Sequence, residues 1–344
     1  MKKQALELFD PEYILNLFKR KLPSCYPDFP KVKGLEIIAH KKHVWERSYH
    51  IVVEYRTILI NDLKEEKIIS IFCAAHSSEP RQNFFTGLAF LWDHGFSGGH
   101  LTTPRPLFFS SYLNGVFYQG VEGYNLHHYL YHQDRPEIER VVALSGRWFA
   151  KLHSLKIKGD EIDFRDGFIP AVIPGLERVF SDIRRRYPHY LPFYERVYRI
   201  FIDNESRFQE RQTEKYLVHG DAHPDNIIKV DNDTLALIDF NDLAIGDPAR
   251  DLGCFWEQLE YMGQKEGLDG DYMQSLKQLF FDNYFANSRV KRSEELEERI
   301  DNYYNWTMLR TTTYQLMSNL VKRDENKLKR INHRINKLKD NLGL

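Results

Sequence analysis

One segment limits this chain more than any other: Tyr216 to Gly253, reading YLVHGDAHPDNIIKVDNDTLALIDFNDLAIGDPARDLG. Its apolar runs Tyr216–Val218, Ile227–Val230 and Leu235–Ile238 have the length and β-branched content of short strands, and the DND turn at Asp231–Asp233 closes the last two into a hairpin. A polar loop separates the first run from the hairpin. It carries Asp221 and, five positions later, Asn226, while Asp239 ends the outgoing hairpin strand. This small β patch lies inside a half of the chain that is otherwise helical in pattern, so the fold must present that loop from a mixed α+β framework.

The first third reads mostly as strands. Leu35–Ala39, Tyr49–Tyr55 and Lys67–Ala75 are rich in Ile, Val, Tyr and Phe and are bounded by charged turns, and Pro106–Phe109 and Gly115–Glu122 follow the same pattern. One helix interrupts them at Pro80–Asp93, with Phe84, Leu88, Leu91 and Trp92 near one face and Gly95 as a stop. After Gly123 the period changes. Glu137–Leu155 repeats apolar residues at three- and four-residue steps, the stretches 175–187 and 191–211 read as helices, and everything from Ala249 onward does so as well. The expected organisation is a β-rich lobe over residues 1–121 followed by a helix-rich lobe over 122–344.

The chemistry suggested by the central segment is specific. A carboxylate on a loop can be aimed at a hydroxyl while a carboxamide oxygen and a second carboxylate hold Mg²⁺, a hard cation that prefers oxygen ligands and keeps several waters. Phosphoryl transfer requires little beyond such positioning and charge neutralisation. Each residue has a plainer alternative, Asp221 as a turn residue bonding its own backbone and Asn226 as a local cap. Asp247 before Pro248 reads as the N-cap of a helix, Asp251 one turn on as structural, and Asp242 as exposed.

HGDAHPDN followed by LIDF and GDPARDL resembles the signature of the aminoglycoside phosphotransferase and choline kinase family, small-molecule kinases with the protein-kinase fold. The resemblance implies a bilobal α+β protein-kinase-like fold with ATP (or GTP) and Mg²⁺ as cofactors. It implies an O-phosphotransferase acting on a small hydroxylated molecule such as an aminoglycoside, sugar or amino alcohol. Carried over residue by residue, it makes Asp221 the catalytic base and gives the metal to Asn226 and Asp239. It makes Gln119, Gly120 and Val121 the hinge strand that bonds the adenine, and His219 and His223 braces of the loop.

The nucleotide half departs from the family's pattern. A lysine expected on the third strand is replaced if Ala74 holds its place, and Asn83–Asp93 contains no Glu to pair with it. The first strand pair has, in place of a glycine-rich turn, the basic run His40-Lys41-Lys42-His43 continuing to Arg47, which reads equally as a phosphate contact and as a solvated hairpin tip. Loss of one phosphate-binding cation costs several kcal/mol in a dry site, or little where Arg81 or Lys42 substitutes, so both are candidate nucleotide contacts. The departure also motivates an alternative reading, a kinase-fold pseudoenzyme that binds nucleotide or a partner without turnover. A di-metal phosphoesterase built on Asp221, His223 and Asp239 lacks a Gly-Asn-His motif to complete it.

Composition narrows the partners. With 48 basic against 49 acidic residues the net charge is −1, without the overall positive field of a nucleic-acid binder. The most apolar run, Ile68–Ala75, is too short to cross a bilayer, and the scattered Cys25, Cys73 and Cys254 read as buried thiols of a reducing, cytoplasmic setting. For the acceptor, Trp256, Glu257, Tyr261, Tyr303, Tyr304 and Trp306 are aromatic and acidic candidates that read equally as core, and Arg184–Arg186 reads as an anion contact or a solvated helix face. The basic amphipathic C-terminus, with Leu328, Ile331, Ile335, Leu338 and Leu342 on one stripe, is expected to pack on the helical lobe, a membrane surface or partner helix being the alternative.

Overall fold

The structure is a computed structural model describing residues 2–46, 48–77, 81–157, 164–172, 175–211, 214–317 and 325–344. Arg47, Pro80 and parts of the 156–174 loop fall outside the described residues. The chain divides into two compact units, one of Met1–Tyr124 with Ile227–Asn241, the other of Asn125–Asn226 with Asp242–Leu344.

The first unit is built on an antiparallel sheet in the order β1-β2-β3-β6-β5, where β1 is Lys31–Val44, β2 Tyr49–Ile60, β3 Glu66–His76, β5 Arg105–Ser110 and β6 Gly115–Gln119. Alternation along β3 decides its two faces. Ile69, Ile71, Cys73 and Ala75 are buried in the core, while Ser70, Phe72, Ala74 and His76 take the opposite face. β2 and β3 stay in unbroken register from Ile60↔Glu66 to His50↔His76. α3 (Arg81–Leu91) follows β3, and the two-residue β4 (Leu101–Thr102) runs parallel to β10 (Leu235–Leu237), which pairs antiparallel with β9 (Ile227–Lys229). The helix is shorter than the pattern suggested because Trp92–Phe96 form a wider π-type turn.

Two helices precede the sheet in a stretch to which the sequence pattern assigned no element, the short α1 (Lys2–Glu7) and α2 (Pro11–Cys25). The second has a complete start signal: the Asp10 carboxylate accepts from the N–H groups of Glu12 and Tyr13, and Pro11 occupies the first helical turn. Its buried Ile14, Leu17, Phe18 and Leu22 cover the core face of the sheet, Phe18 meeting Tyr55, Phe108 and Phe117 edge-on at 5.3, 6.4 and 6.0 Å. A second correction concerns the basic run. Residues 40–44 belong to β1 and not to the hairpin turn, and the Lys42 ammonium lies 4.1 Å from the centre of the Phe9 ring.

β7 (Tyr124–Asn125) leads into the second unit, which contains α4 (Leu126–His132), α5 (Arg135–Leu152), α6 (Leu176–Arg186), α7 (Leu191–Arg211), α8 (Pro248–Lys265), α9 (Gly270–Asn287), α10 (Glu294–Met317) and α11 (Glu325–Leu342). A two-stranded ladder of β8 (Tyr216–Val218) and β11 (Ala244–Gly246) lies among them. α8 is buried along most of its length and lies against α10 so closely that a side chain at Gly253 would run into the Ile300 carbonyl oxygen. In α11, Ile331, Ile335 and Leu338 are buried, Leu342 is half-buried and Leu328 is exposed, so the middle of the apolar stripe packs within this unit. Arg184 and Arg185 make exposed pairs with Glu195 and Asp182, the pattern of a solvated face. Cys73 and Cys254 are buried and Cys25 is half-buried, all three as free thiols. Among the described residues no helix is long and apolar enough to cross a membrane.

One buried acid makes the second unit sensitive to pH. Glu205 of α7 is 3% exposed, accepts from the Ile169 N–H at 3.0 Å and from the Tyr303 hydroxyl at 2.6 Å, and burial pushes its pKa up to about 7. The folded form therefore holds a proton that the unfolded form releases near the ordinary carboxylate range, so stability falls as pH rises from about 4.5 to about 7. Glu205→Gln is expected to flatten that slope, which reaches on the order of 3 kcal/mol, in urea unfolding measured across the window.

Candidate active site

The loop after β8 is held from beneath by the first turn of α8. Asp247 caps that helix through the Ala249 N–H at 3.0 Å and pairs with Arg299 at 2.6 Å. The fully buried Asp251 then accepts from the backbone N–H groups of His219 at 2.7 Å and Gly220 at 2.8 Å, with His153 Nε2 at 3.1 Å. Burial alone would raise its pKa, but His153, His219 and the Gly220 N–H outweigh burial and hold the carboxyl below its usual range. Its neighbour Arg250 donates to the Gly220 carbonyl at 2.9 Å and to the Gly167 carbonyl at 2.6 Å. Gly220 has φ +82°, and a Cβ there would collide with the Asp242 carbonyl oxygen, so this turn requires glycine. Asp242 itself is half-buried and paired with Arg165, not exposed as its surroundings in sequence suggested.

On this loop Asp221 and Asn226 come together. The Asn226 side chain is buried and its Nδ2 donates to the Asp221 carbonyl at 3.0 Å, leaving the carboxamide oxygen as its acceptor atom. The Asp221 carboxylate has His223 Nε2 at 3.6 Å. Its burial would raise the pKa, yet His223, Arg310 and His219 outweigh it and hold the carboxyl well below the usual range, so it is ionised throughout the neutral region. His223 Nδ1 lies 4.0 Å from Asp225, which in turn receives Asn125 Nδ2 at 3.2 Å and faces His127 Nδ1 at 3.0 Å. Sequence reading missed Asn125 and His127. Their signal is only the start of α4, a hundred residues away.

In the first unit Asp239 sits just past β10 with φ +65°, a strained left-handed conformation for a residue other than glycine. Asn241 links it to the sheet: Nδ2 donates to Asp239 Oδ1, and Oδ1 accepts from the Arg81 guanidinium at the start of α3. Arg81 is thus tied to Asp239 through one carboxamide. At the same end of the sheet His50 and His76 face each other with ring centres 5.0 Å apart. Burial, then the positive neighbours Lys41, Arg81, His76 and His43, push His50 down to about 4. Ala74 lies between Val52 and Val116, and α3 carries no Glu, so no lysine–glutamate pair is formed there.

Gln119 ends β6 and accepts from Tyr26 through its side chain at 2.9 Å. The Gly120 N–H is already bonded to the Ser70 carbonyl at 2.8 Å, so the backbone donor expected of the hinge at Gly120 is engaged within the sheet. Gly120 and Val121 line an open groove of about 580 Å³ with Glu54, Ser70, Phe72 and Tyr124, a size typical of small-molecule sites. Lys42, over Phe9, is not among its lining residues. Among the described residues no group of three or more His, Cys, Asp and Glu side chains is placed to hold a metal, which gives the di-metal reading no support.

A five-stranded antiparallel sheet in one unit, and in the other a strand-held loop pinned to a buried helix start, are the parts of a protein-kinase-like small-molecule phosphotransferase. The chain belongs to the phosphotransferase enzyme family, whose model matches residues 53–285. Solved structures share the fold. The Plasmodium vivax ethanolamine kinase is 16% identical with a TM-score of 0.53, covering 88% of this chain and 81% of that one. An amicoumacin kinase solved with AMP-PNP, Ca²⁺ and Ami is 13% identical with a TM-score of 0.55, covering 87% of both chains. A spectinomycin phosphotransferase solved with ADP and spectinomycin is 11% identical with a TM-score of 0.53, covering 96% of this chain and 93% of that one. No curated protein matches the chain.

The clamp on the loop is open to measurement. Asp251→Ala leaves two buried N–H groups and His153 without their acceptor, and is expected to cost about 3 kcal/mol or more in the midpoint of chemical unfolding. Asp242→Ala, which removes a half-buried pair, should cost well under half of that.

Proposed function

We propose that this chain is an ATP- or GTP- and Mg²⁺-dependent O-phosphotransferase acting on a small hydroxylated molecule. The observation that carries the reading is the ionised Asp221 on a loop whose backbone is fixed by Arg250 and Asp251, with Asn226 bonded to the same loop. A pinned carboxylate can accept the hydrogen bond of an acceptor hydroxyl and receive its proton as the oxygen bonds to the γ-phosphorus and the nucleoside diphosphate leaves with the bonding pair. Asn226 and Asp239 fit a divalent cation by chemistry, each offering a hard oxygen, and they would hold Mg²⁺. When bound, the ion neutralises charge on the nucleotide phosphates.

The nucleotide is assigned to the first unit, its base to the groove beside Gln119, Gly120 and Val121, its phosphates to the basic end of the sheet. Arg81 replaces the third-strand lysine in this reading, because its link through Asn241 brings a guanidinium to the metal-binding Asp239. Lys42 has no comparable link. The AMP-PNP, ADP and Ca²⁺ of the solved relatives are consistent with a nucleotide and a divalent ion here. The free thiols fit a reducing, cytoplasmic setting. The absence of a lysine–glutamate pair motivates a second reading, nucleotide binding without turnover.

Calorimetric titration with ATP·Mg²⁺ separates these. Wild type is expected to bind, and Asp239→Ala and Arg81→Ala to weaken binding about tenfold or more; no binding, or undiminished binding in Asp239→Ala, overturns the reading. With a panel of sugars and alcohols, Asp221→Asn should lower ADP release by about 10²–10⁴-fold while retaining nucleotide affinity. Binding with no acceptor-dependent ADP in wild type would select the second reading.

A further inference from the structure

Among the described residues, a second arginine of this unit stands without a hydrogen-bonded partner. Arg310 of α10 is half-buried, and its guanidinium carbon lies 4.9 Å from the centre of the Trp306 indole, one turn earlier on the helix. The same indole carries Arg250 at 5.8 Å, the arginine that donates to Gly220 next to Asp221. One arginine of this stack is therefore engaged by the loop. The other makes no hydrogen bond and no ion pair among the described residues. The buried Trp306 Nε1–H likewise has no hydrogen-bond partner there. Its charge acts on groups from three elements, lowering the pKa of Asp221 on the loop, Tyr198 on α7 and Cys254 on α8.

The acids nearby are already matched from within. Glu257 of α8 is buried and paired with Arg334 of α11, and Glu260 lies 3.3 Å from Lys337 and accepts from the Tyr304 hydroxyl. The Tyr261 ring is covered by Arg334 at 4.3 Å. A carboxylate beside an aromatic face is the usual cradle of an ammonium group, and here the chain fills it with its own cations. The charge left to greet an acceptor at Asp221 is positive.

We propose that Arg310 determines acceptor specificity by binding an anionic group, carboxylate or phosphate, on the hydroxylated molecule whose hydroxyl meets Asp221. The chain thus selects hydroxy acids or sugar phosphates over polyamines. This rests on the phosphotransferase reading and narrows it. A guanidinium stacked on an indole keeps its N–H fork in plane and ready for two-point contact with an oxyanion, whereas an ammonium-bearing acceptor would meet it with like charge.

The test uses the full chain with ATP·Mg²⁺ and paired probes: gluconate against glucose, glycerol 3-phosphate against glycerol, and ethanolamine and kanamycin as cations. ADP release above the acceptor-free rate is measured, with nucleotide affinity followed separately. The expected result is that at least one anionic probe exceeds its neutral counterpart tenfold or more in kcat/KM, the carboxylate and phosphate arms showing which anion is meant. Arg310→Gln should raise KM for that probe tenfold or more and remove its advantage over the neutral counterpart, with nucleotide affinity changed less than threefold, and Arg310→Lys should recover part of the loss. An equal fall for all acceptors with a lowered Tm would mark a structural role and overturn the proposal. Preference for the cationic probes, or no stimulation by any anionic probe in protein that binds ATP, would overturn it too. Failure to bind ATP at all would instead remove the phosphotransferase reading on which it stands.

Discussion

The carboxylate of Asp251 is the contact on which the loop carrying Asp221 depends. A charge with no exposure to solvent is tolerated only when it is fully matched, and here two backbone N–H groups and an imidazole match it. Those N–H groups belong to the two residues before Asp221, so the requirement to satisfy a buried acid also fixes the backbone from which the Asp221 carboxylate leaves the chain. His153 extends the network to the Tyr284 hydroxyl at 2.8 Å, tying α5 and α9 to the same point. Arg250 acts on the other side of the peptide, taking the carbonyl of Gly220 while Asp251 takes its N–H. A single helical turn thus holds both polar ends of the glycine that turns the loop.

The first unit solves a related problem with fewer parts. Where a lysine and a glutamate on separate elements are absent, a carboxamide connects an arginine and an aspartate directly. Asp239 is held there in a left-handed conformation that costs on the order of 1–3 kcal/mol in a residue with a side chain, strain that the surrounding hydrogen bonds must maintain. At the same end of the sheet, burial first and then the positive neighbours Lys41, Arg81, His76 and His43 hold the His50 imidazole below its usual range.

Charge is distributed differently in the second unit. The basic C-terminal helix is used internally: its apolar stripe covers the unit while Arg334 and Lys337 neutralise the acids of α8. That pairing removes from the surface the anionic patch that the sequence alone offered to a cationic acceptor, while the half-buried Arg310 is among the charges that hold the Asp221 carboxyl below its usual range.

The local pattern of the chain determined the strands of the sheet, the helices from α5 onward, the hairpin and the Asp247–Pro248 helix start, because each depends on periodicity and capping within a few residues. It also singled out Asp221, Asn226 and Asp239, since oxygen-bearing side chains at those spacings around two strands suit metal-assisted phosphoryl chemistry better than ordinary turn formation. The cap and apolar spacing of α2 were equally legible at Asp10 and Pro11 and went unread beneath the strand-rich pattern that follows. Asn241 was not legible and Asp251 was legible only as structural, because what defines each is a partner elsewhere: Arg81 lies 160 positions from Asn241, and the loop residues that Asp251 holds lie more than thirty before it. A sequence states which groups carry charge or hydrogen-bonding capacity. Only the tertiary structure decides which are buried together and must satisfy one another, and that obligation is what separates a positioning acid from a surface one here.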